Sequence, residues 1–283
     1  MSKSLRFAVI GAPVAHSRSP QMHTAAYRAL QLPHAYEKIE TTESELPARI
    51  EALRRGELDG LNVTVPHKAR ALELADEVDP SARATGAANT LVRTTGGRVR
   101  AHNTDAPALA EELRLLAGDA GRFVGRTAMV LGTGGAAQAA TFALGTLGVG
   151  RVVVRGRRDN PELARSLAAS GSRAEVRFEP IGETPTGEPS DLVAIVQATT
   201  AGMHGGPPGA VVADAVAWAT VPRDCVVLDA VYAPPRTPLL ERAAKEGLAN
   251  ACGLGMLVRQ GALAFELWLG VAPPLDVMAS AIA

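Results

Sequence analysis

A short apolar run delivers one lysine onto a polar turn in Asn62-Val63-Thr64-Val65-Pro66-His67-Lys68. Two further clusters, Asn89-Thr90 and Asn103-Thr104-Asp105, close later segments. An ammonium, a carboxylate, and several amides and hydroxyls are the groups that grip a small polyol and move a proton to or from it. Taken singly, each has a plainer reading. A lysine in a first helical turn is ordinarily exposed, and Asp105 ahead of Ala106-Pro107 is well placed to cap a helix. Convergence of the three clusters would be what gives them chemistry.

The elements that must bring them together read as alternating strands and helices. Phe7–Gly11, Tyr36–Ile39 and Leu61–Val65 are strand-like, and Pro20–Leu30, Glu45–Arg55 and Lys68–Ala75 are helix-like. This alternation predicts an α/β fold with a mainly parallel sheet, whose ligands collect at the carboxyl ends of the strands, where Asn62, Thr64 and Lys68 fall. A helix over Ala108–Leu116 leads into Gly118–Gly125, a glycine-rich, charged passage that reads as the junction of two domains. A second series follows: strands Thr127–Leu131, Arg151–Val154, Leu192–Gln197 and Val226–Asp229, with helices Ala136–Leu147 and Pro161–Ala169. The stretch Glu179–Ser190, rich in Gly, Pro and Thr, reads as a connection only, and Met256–Leu269 is helical with an apolar face of Leu257, Leu263, Ala264, Leu267 and Trp268. The domain bounds expected are 1–106, 107–252 and 253–283.

Composition narrows the class. In 283 residues, 47% hydrophobic, Lys plus Arg (29) equals Asp plus Glu (29), so no overall field draws the chain to nucleic acid or an anionic membrane. The start lacks the apolar stretch of a secretory signal and no apolar run is long enough to span a bilayer. Cys225 and Cys252 stand far apart with no metal-type spacing, and His16, His23, His67 and His102 pair with no carboxylate at a ligating interval. A reducing cytoplasm, no metal and no disulfide are expected.

Gly132-Thr133-Gly134-Gly135-Ala136-Ala137 follows a strand and opens a helix, which is the context a dinucleotide fingerprint requires. Gly132 permits the tight turn, Gly134 lets the backbone approach a pyrophosphate, Ala137 allows close packing, and free amides at the helix start attract phosphate. Without that context such glycines are ordinary turns. At the end of the next strand, where an NAD protein places an acid, stands Arg155-Gly156-Arg157-Arg158. Guanidinium groups there favour the 2′-phosphate of NADP, with a solvated basic loop as the alternative.

Six motifs together resemble the shikimate dehydrogenase family: His16-Ser17-Arg18-Ser19-Pro20, Asn62–Lys68, Gly86-Ala87-Ala88-Asn89-Thr90, Asn103-Thr104-Asp105, Gly132–Ala137, and Gly253-Leu254-Gly255-Met256 with Gln260. The resemblance implies an amino-terminal substrate domain, a Rossmann domain binding NADP, and a carboxyl-terminal helix returning to the first domain. It makes Lys68 and Asp105 the catalytic pair, with Ser17, Ser19, Asn62, Thr64, Asn89, Tyr232 and Gln260 lining the pocket for shikimate or 3-dehydroshikimate. It assigns Gly132, Thr133, Gly134, Gly135, Ala136, Thr199, Gly253 and Met256 to NADP, with Arg155, Arg157 and Arg158 at the 2′-phosphate and Arg157 favoured. Ser17 and Ser19 would hold the substrate carboxylate, although Ser19-Pro20 is equally a helix start. Gly156 stands where the family often has asparagine, and Gln197 where asparagine is frequent. The implied activity is reversible NADPH-dependent reduction of 3-dehydroshikimate by a monomer or homodimer. Alternatives are a paralogue acting on quinate or an aminoshikimate, and a non-catalytic nicotinamide sensor.

Overall fold

The computed structural model describes residues 3–182 and 186–283. In chain order its elements are β1 (Arg6–Gly11), α1 (Ser19–Ala29), β2 (Ala35–Glu40), α2 (Leu46–Arg55), β3 (Gly60–Val63), α3 (Lys68–Glu73), β4 (Glu77–Val78), α4 (Pro80–Thr85), β5 (Thr90–Arg93) and β6 (Val99–His102). There follow α5 (Asp105–Ala117), β7 (Thr127–Leu131), α6 (Gly135–Thr146), β8 (Arg151–Gly156), α7 (Glu162–Ala169), β9 (Glu175–Pro180), β10 (Leu192–Gln197), α8 (Ala210–Ala213), β11 (Val226–Asp229), α9 (Pro238–Lys245), β12 (Ala249–Cys252), α10 (Leu254–Leu269) and α11 (Leu275–Ser280). Two compact units result, one ending at Asp105 and regaining Leu257–Ala283, the other Ala106–Met256.

The first unit carries a sheet in the order β2-β1-β3-β5-β6-β4. Strands β2, β1 and β3 run parallel, whereas β5 pairs antiparallel with both β3 and β6. The register sets Asn62 opposite Thr90 and Thr90 opposite His102, so one row of the sheet is polar. Helix α2 shows how the sequence builds this layer. Leu46, Ile50 and Leu53 fall on one face at helical spacing and are buried, and the helix stops at Gly56, whose φ of 76° only glycine adopts freely. Burying each such side chain contributes about 1.5–3 kcal/mol.

Helix α10 meets the sheet at β1 and β5, and α11 packs on α1. Trp268 of α10 stacks on Phe7 of β1 at 4.8 Å and donates its indole N–H to the Leu91 carbonyl at 3.1 Å. His23 of α1 sits fully buried in the same aromatic group, stacked on Tyr36 at 4.4 Å with an interplanar angle of 5°. Neither ring nitrogen of His23 has a hydrogen-bond partner among the described residues. Burial disfavours the imidazolium and pushes its pKa down from 6.5 to about 3. The folded pKa is depressed, so the neutral ring's full contribution is present above pH 6.5 and is lost as the pH falls toward 3. The slope is about 1.4 kcal/mol per pH unit, or about 2 kcal/mol between pH 7 and pH 5. Urea unfolding of His23→Leu is expected to lose about that much less stability over this interval than the wild type; an equal loss in both would acquit His23.

The second unit is a six-stranded, wholly parallel sheet in the order β12-β11-β10-β7-β8-β9, the arrangement of the doubly wound dinucleotide folds. β7 and β10 are buried along their whole length, which is why their apolar runs mark the strands so cleanly. The passage Gly118–Gly125 belongs inside this unit rather than at its border, because Phe123 of its 3-10 turn is buried in the core beside Leu113 and Val149. The helix before it starts at Asp105, three residues ahead of the expected position.

Candidate active site

Lys68 is the first residue of α3, and its place is fixed through backbone and neighbour. Thr64 N–H donates to the Ile10 carbonyl, His67 N–H turns back to the Thr64 carbonyl, and Ala88 N–H donates to the Lys68 carbonyl at 2.9 Å. The His67 ring, buried, bonds the Thr41 carbonyl through Nε2 at 2.6 Å and clamps the turn from below. From this mount the Lys68 Nζ reaches Asp105 Oδ2 at 2.6 Å, with the two side chains 18% and 8% exposed. A proton donor screened from bulk water yet reachable from outside is what acid catalysis needs.

Around the pair lies a buried polar lattice. Asn89 Nδ2 donates to Thr104 Oγ1 at 2.9 Å, and Asn89 Oδ1 accepts the Thr104 N–H at 2.7 Å. Asn62 Nδ2 donates to Thr90 Oγ1 at 3.0 Å and to the Asn89 carbonyl at 3.2 Å. Asn103 is anchored by Nδ2 to the Ala87 carbonyl at 2.9 Å, so it holds the loop rather than facing outward. Tyr36, which the sequence reading passed over as a strand aromatic, donates its hydroxyl to Asn62 Oδ1 at 2.7 Å.

Ser17, Ser19 and Gln260 belong to the same unit. Ser19 does not cap α1; Arg18 occupies that position without a side-chain bond, and Ser19 is the helix's first residue. Ser17 Oγ donates to Ser19 Oγ at 3.2 Å. Gln260 on α10 spends Nε2 on the Leu257 carbonyl one turn back. Tyr232 belongs to the second unit, just past β11. Its turn is organised by Asp229, whose buried carboxylate accepts from Val231 N–H at 2.8 Å and Thr237 Oγ1 at 2.5 Å. Burial pushes that carboxyl up to about 6, with both hydrogen bonds opposing the shift.

The glycine turn fits a dinucleotide. Gly132 has φ 118°, and a Cβ there would stand 2.6 Å from Thr199 Cγ2 and 3.0 Å from the Ala198 carbonyl. Gly134 precedes α6, and the place of its missing Cβ is open space, so a phosphate can approach the Gly134–Ala136 amides. Thr133 is held by Asn160, whose Nδ2 donates to the Thr133 carbonyl at 2.8 Å. A Cβ on Gly156 would stand 2.6 Å from Thr133 Cγ2, which explains the glycine there. Gln197, fully buried, donates Nε2 to the Ala201 carbonyl at 3.0 Å and accepts the Thr199 N–H, shaping the turn that carries Thr199. Gly253 packs on the Ala230 backbone, and Met256 packs against the core of its unit.

Arg155 needs a correction. Strand β8 runs two residues past its expected end, pairing with β9, and turns the Arg155 side chain into the interior. Its guanidinium binds Glu188 through Nη1 at 2.7 Å and Nη2 at 2.9 Å, Glu179 through Nε at 3.0 Å, and the Ala215 carbonyl at 2.6 Å. Acceptors of its own unit thus occupy the guanidinium at Nε, Nη1 and Nη2. The stretch expected merely to connect supplies Glu188, whose side chain is 0% exposed. Arg157 and Arg158 are exposed and have no ion-pair partner among the described residues.

A doubly wound unit with an open glycine turn at its switch point, joined in one chain to a lysine–aspartate pair and a buried lattice of amides and hydroxyls, is the make-up of a nicotinamide-dependent oxidoreductase. Two family models match parts of the chain. Residues 9–91 match the shikimate dehydrogenase substrate binding domain and residues 253–282 the shikimate 5′-dehydrogenase C-terminal domain. A shikimate dehydrogenase (NADP(+)) of Symbiobacterium thermophilum is 39% identical over 278 residues, covering 96% of this chain and 92% of the relative. The Thermus thermophilus shikimate 5-dehydrogenase, solved with NADP(H) and shikimate, is 36% identical, covers 98% of each chain and has a TM-score of 0.78. A ligand-free 5-ketofructose reductase from Gluconobacter is 27% identical, covers 99% of this chain and 98% of its own, and has a TM-score of 0.84. The chain belongs to the shikimate dehydrogenase family. Among the described residues no helix is long and apolar enough to cross a membrane, and no three His, Cys, Asp or Glu side chains are grouped to hold a metal ion.

Proposed function

We propose that this protein is an NADP-dependent shikimate dehydrogenase, interconverting 3-dehydroshikimate and shikimate in aromatic amino-acid biosynthesis. The observation that carries the reading is the 2.6 Å contact of Lys68 Nζ with Asp105 Oδ2 at the rim of the Asn62–Asn89–Thr90–Thr104 lattice. NADPH, when bound, supplies the hydride. As the substrate carbonyl is reduced, charge grows on its oxygen; Lys68 stabilises that charge and gives up the proton, while Asp105 orients Lys68. Asn62, Asn89, Thr64 and Gln260 grip the ring hydroxyls and Ser17 and Ser19 the carboxylate, and the family resemblance assigns Tyr232 to the substrate as well. The Gly134–Ala136 amides would take the pyrophosphate, with Thr133, Thr199, Gly253 and Met256 as the other residues that would hold the cofactor. Arg157, with Arg158 beside it, takes the 2′-phosphate in place of the sequestered Arg155. The domain roles follow: substrate binding to the first unit and cofactor binding to the second, in a cytoplasmic monomer or homodimer.

A second reading, reduction of a polyhydroxy ketone that lacks a carboxylate, is favoured by the likeness to the Gluconobacter reductase. Nicotinamide absorbance followed with shikimate, quinate and 5-ketofructose, each with NADP(H) and NAD(H), decides between them. Shikimate with NADP is expected to be fastest. Turnover of the ketone alone would overturn the proposal, and comparable rates with both cofactors would remove Arg157 from the 2′-phosphate.

A further inference from the structure

The Asn62 carboxamide has only one orientation consistent with its neighbours. The Asn89 carbonyl can only accept, so the Asn62 edge 3.2 Å from it must be the amide nitrogen, which also donates to Thr90 Oγ1 at 3.0 Å. Both amide hydrogens are thereby spent, and Asn62 can meet a ligand only through Oδ1, as an acceptor. The opposite edge fixes the next partner. Oδ1 cannot donate, so the hydroxyl of Tyr36 at 2.7 Å must do so, and the Tyr36 oxygen is left as an acceptor. Tyr36 and Asn62 therefore form one directional step, Tyr36 donating and Asn62 accepting, within the lattice expected to hold ring hydroxyls.

Nothing in the packing demands the Tyr36 hydroxyl. Its ring is fixed by the 4.4 Å stack on His23 and lies tilted to Trp268 at 6.2 Å, contacts that a phenylalanine would keep. We propose that Tyr36 is a positioning residue for the substrate pocket. Through its hydroxyl it locks Asn62 with Oδ1 presented to a ligand hydroxyl. Without it the carboxamide loses one of its three restraints. The inference rests on the shikimate reading for the substrate used in its test.

The test is steady-state kinetics of wild type, Tyr36→Phe, Asn62→Ala and the double variant with shikimate and NADP, alongside Tm and the Kd for NADP by calorimetry. Tyr36→Phe is expected to raise the KM for shikimate about tenfold, the size of one oriented hydrogen bond, and to change kcat by less than about threefold. Tm and the NADP Kd are expected to stay at wild-type values. In the Asn62→Ala background the same substitution is expected to add less than about twofold, because its effect passes through Asn62. An unchanged KM, full additivity of the two substitutions, or a Tyr36→Phe protein that no longer folds would overturn the inference, the last by giving the hydroxyl to the core. A wild type that turns shikimate over beside an unaltered Tyr36→Phe defeats only this inference; a wild type silent on shikimate defeats the functional reading and this inference with it.

Discussion

Replacing Lys68 with alanine is expected to lower turnover of shikimate by about 10²- to 10⁴-fold, the usual contribution of a positioned acid or base, while leaving the fold intact. The geometry explains both halves of that expectation. Only the side chain of Lys68 reaches Asp105, whereas the residue's structural work is done by its carbonyl, which accepts from Ala88 N–H, and by the His67 ring bonded to the Thr41 carbonyl. Alanine keeps the backbone and favours a first helical turn. Thermal melting and NADP binding by calorimetry, measured beside the rates, separate loss of chemistry from loss of structure. A variant with wild-type turnover would remove Lys68 from the mechanism.

The largest effect on stability is expected at Glu188. Its carboxylate, with no exposed side-chain surface, takes both terminal nitrogens of Arg155 and the Ala217 N–H. Glu188→Ala would leave Arg155, itself 7% exposed, short of its main counter-charge, although Glu179 remains beside Nε. Removing one member of a buried pair costs about 3–5 kcal/mol, and a fall in Tm of roughly 10 °C follows for a unit of this size. Urea unfolding of Glu188→Ala against the joint variant Arg155→Met with Glu188→Leu tests the cause. The joint variant is expected to recover most of the loss, because two apolar side chains need no solvation; if it is as unstable as the single variant, the ion pair is not the reason.

Legibility in the sequence followed burial. β7, β10 and β11 have the bounds read from their apolar runs, because a strand covered on both faces must be apolar throughout. The strands passed over are polar or short and lie at edges or in the antiparallel half: β9 alternates exposed and half-buried residues, β12 holds Ala249-Asn250-Ala251-Cys252, and β4 has two residues. Helix α9 was not read from the sequence, although Thr237 as cap and Pro238 at the first position are a start signal for it. In the candidate site, Lys68 and Asp105 stood out because their motifs are rare combinations. Tyr36 and Glu188 did not, since each acts through a partner distant in sequence: Asn62 and Arg155 respectively. Arg155 was misplaced for a related reason. Alternation decides which face a strand residue takes, and the strand was read as ending one residue too early for that rule to reach it.

The contact between Thr133 and Gly156 has a consequence for how this chain can change over generations. The Thr133 methyl fills the space a side chain at 156 would need. A side chain at 156 therefore requires Thr133 to turn its methyl away or a smaller residue to stand at 133. Change at one of these two positions is felt at the other.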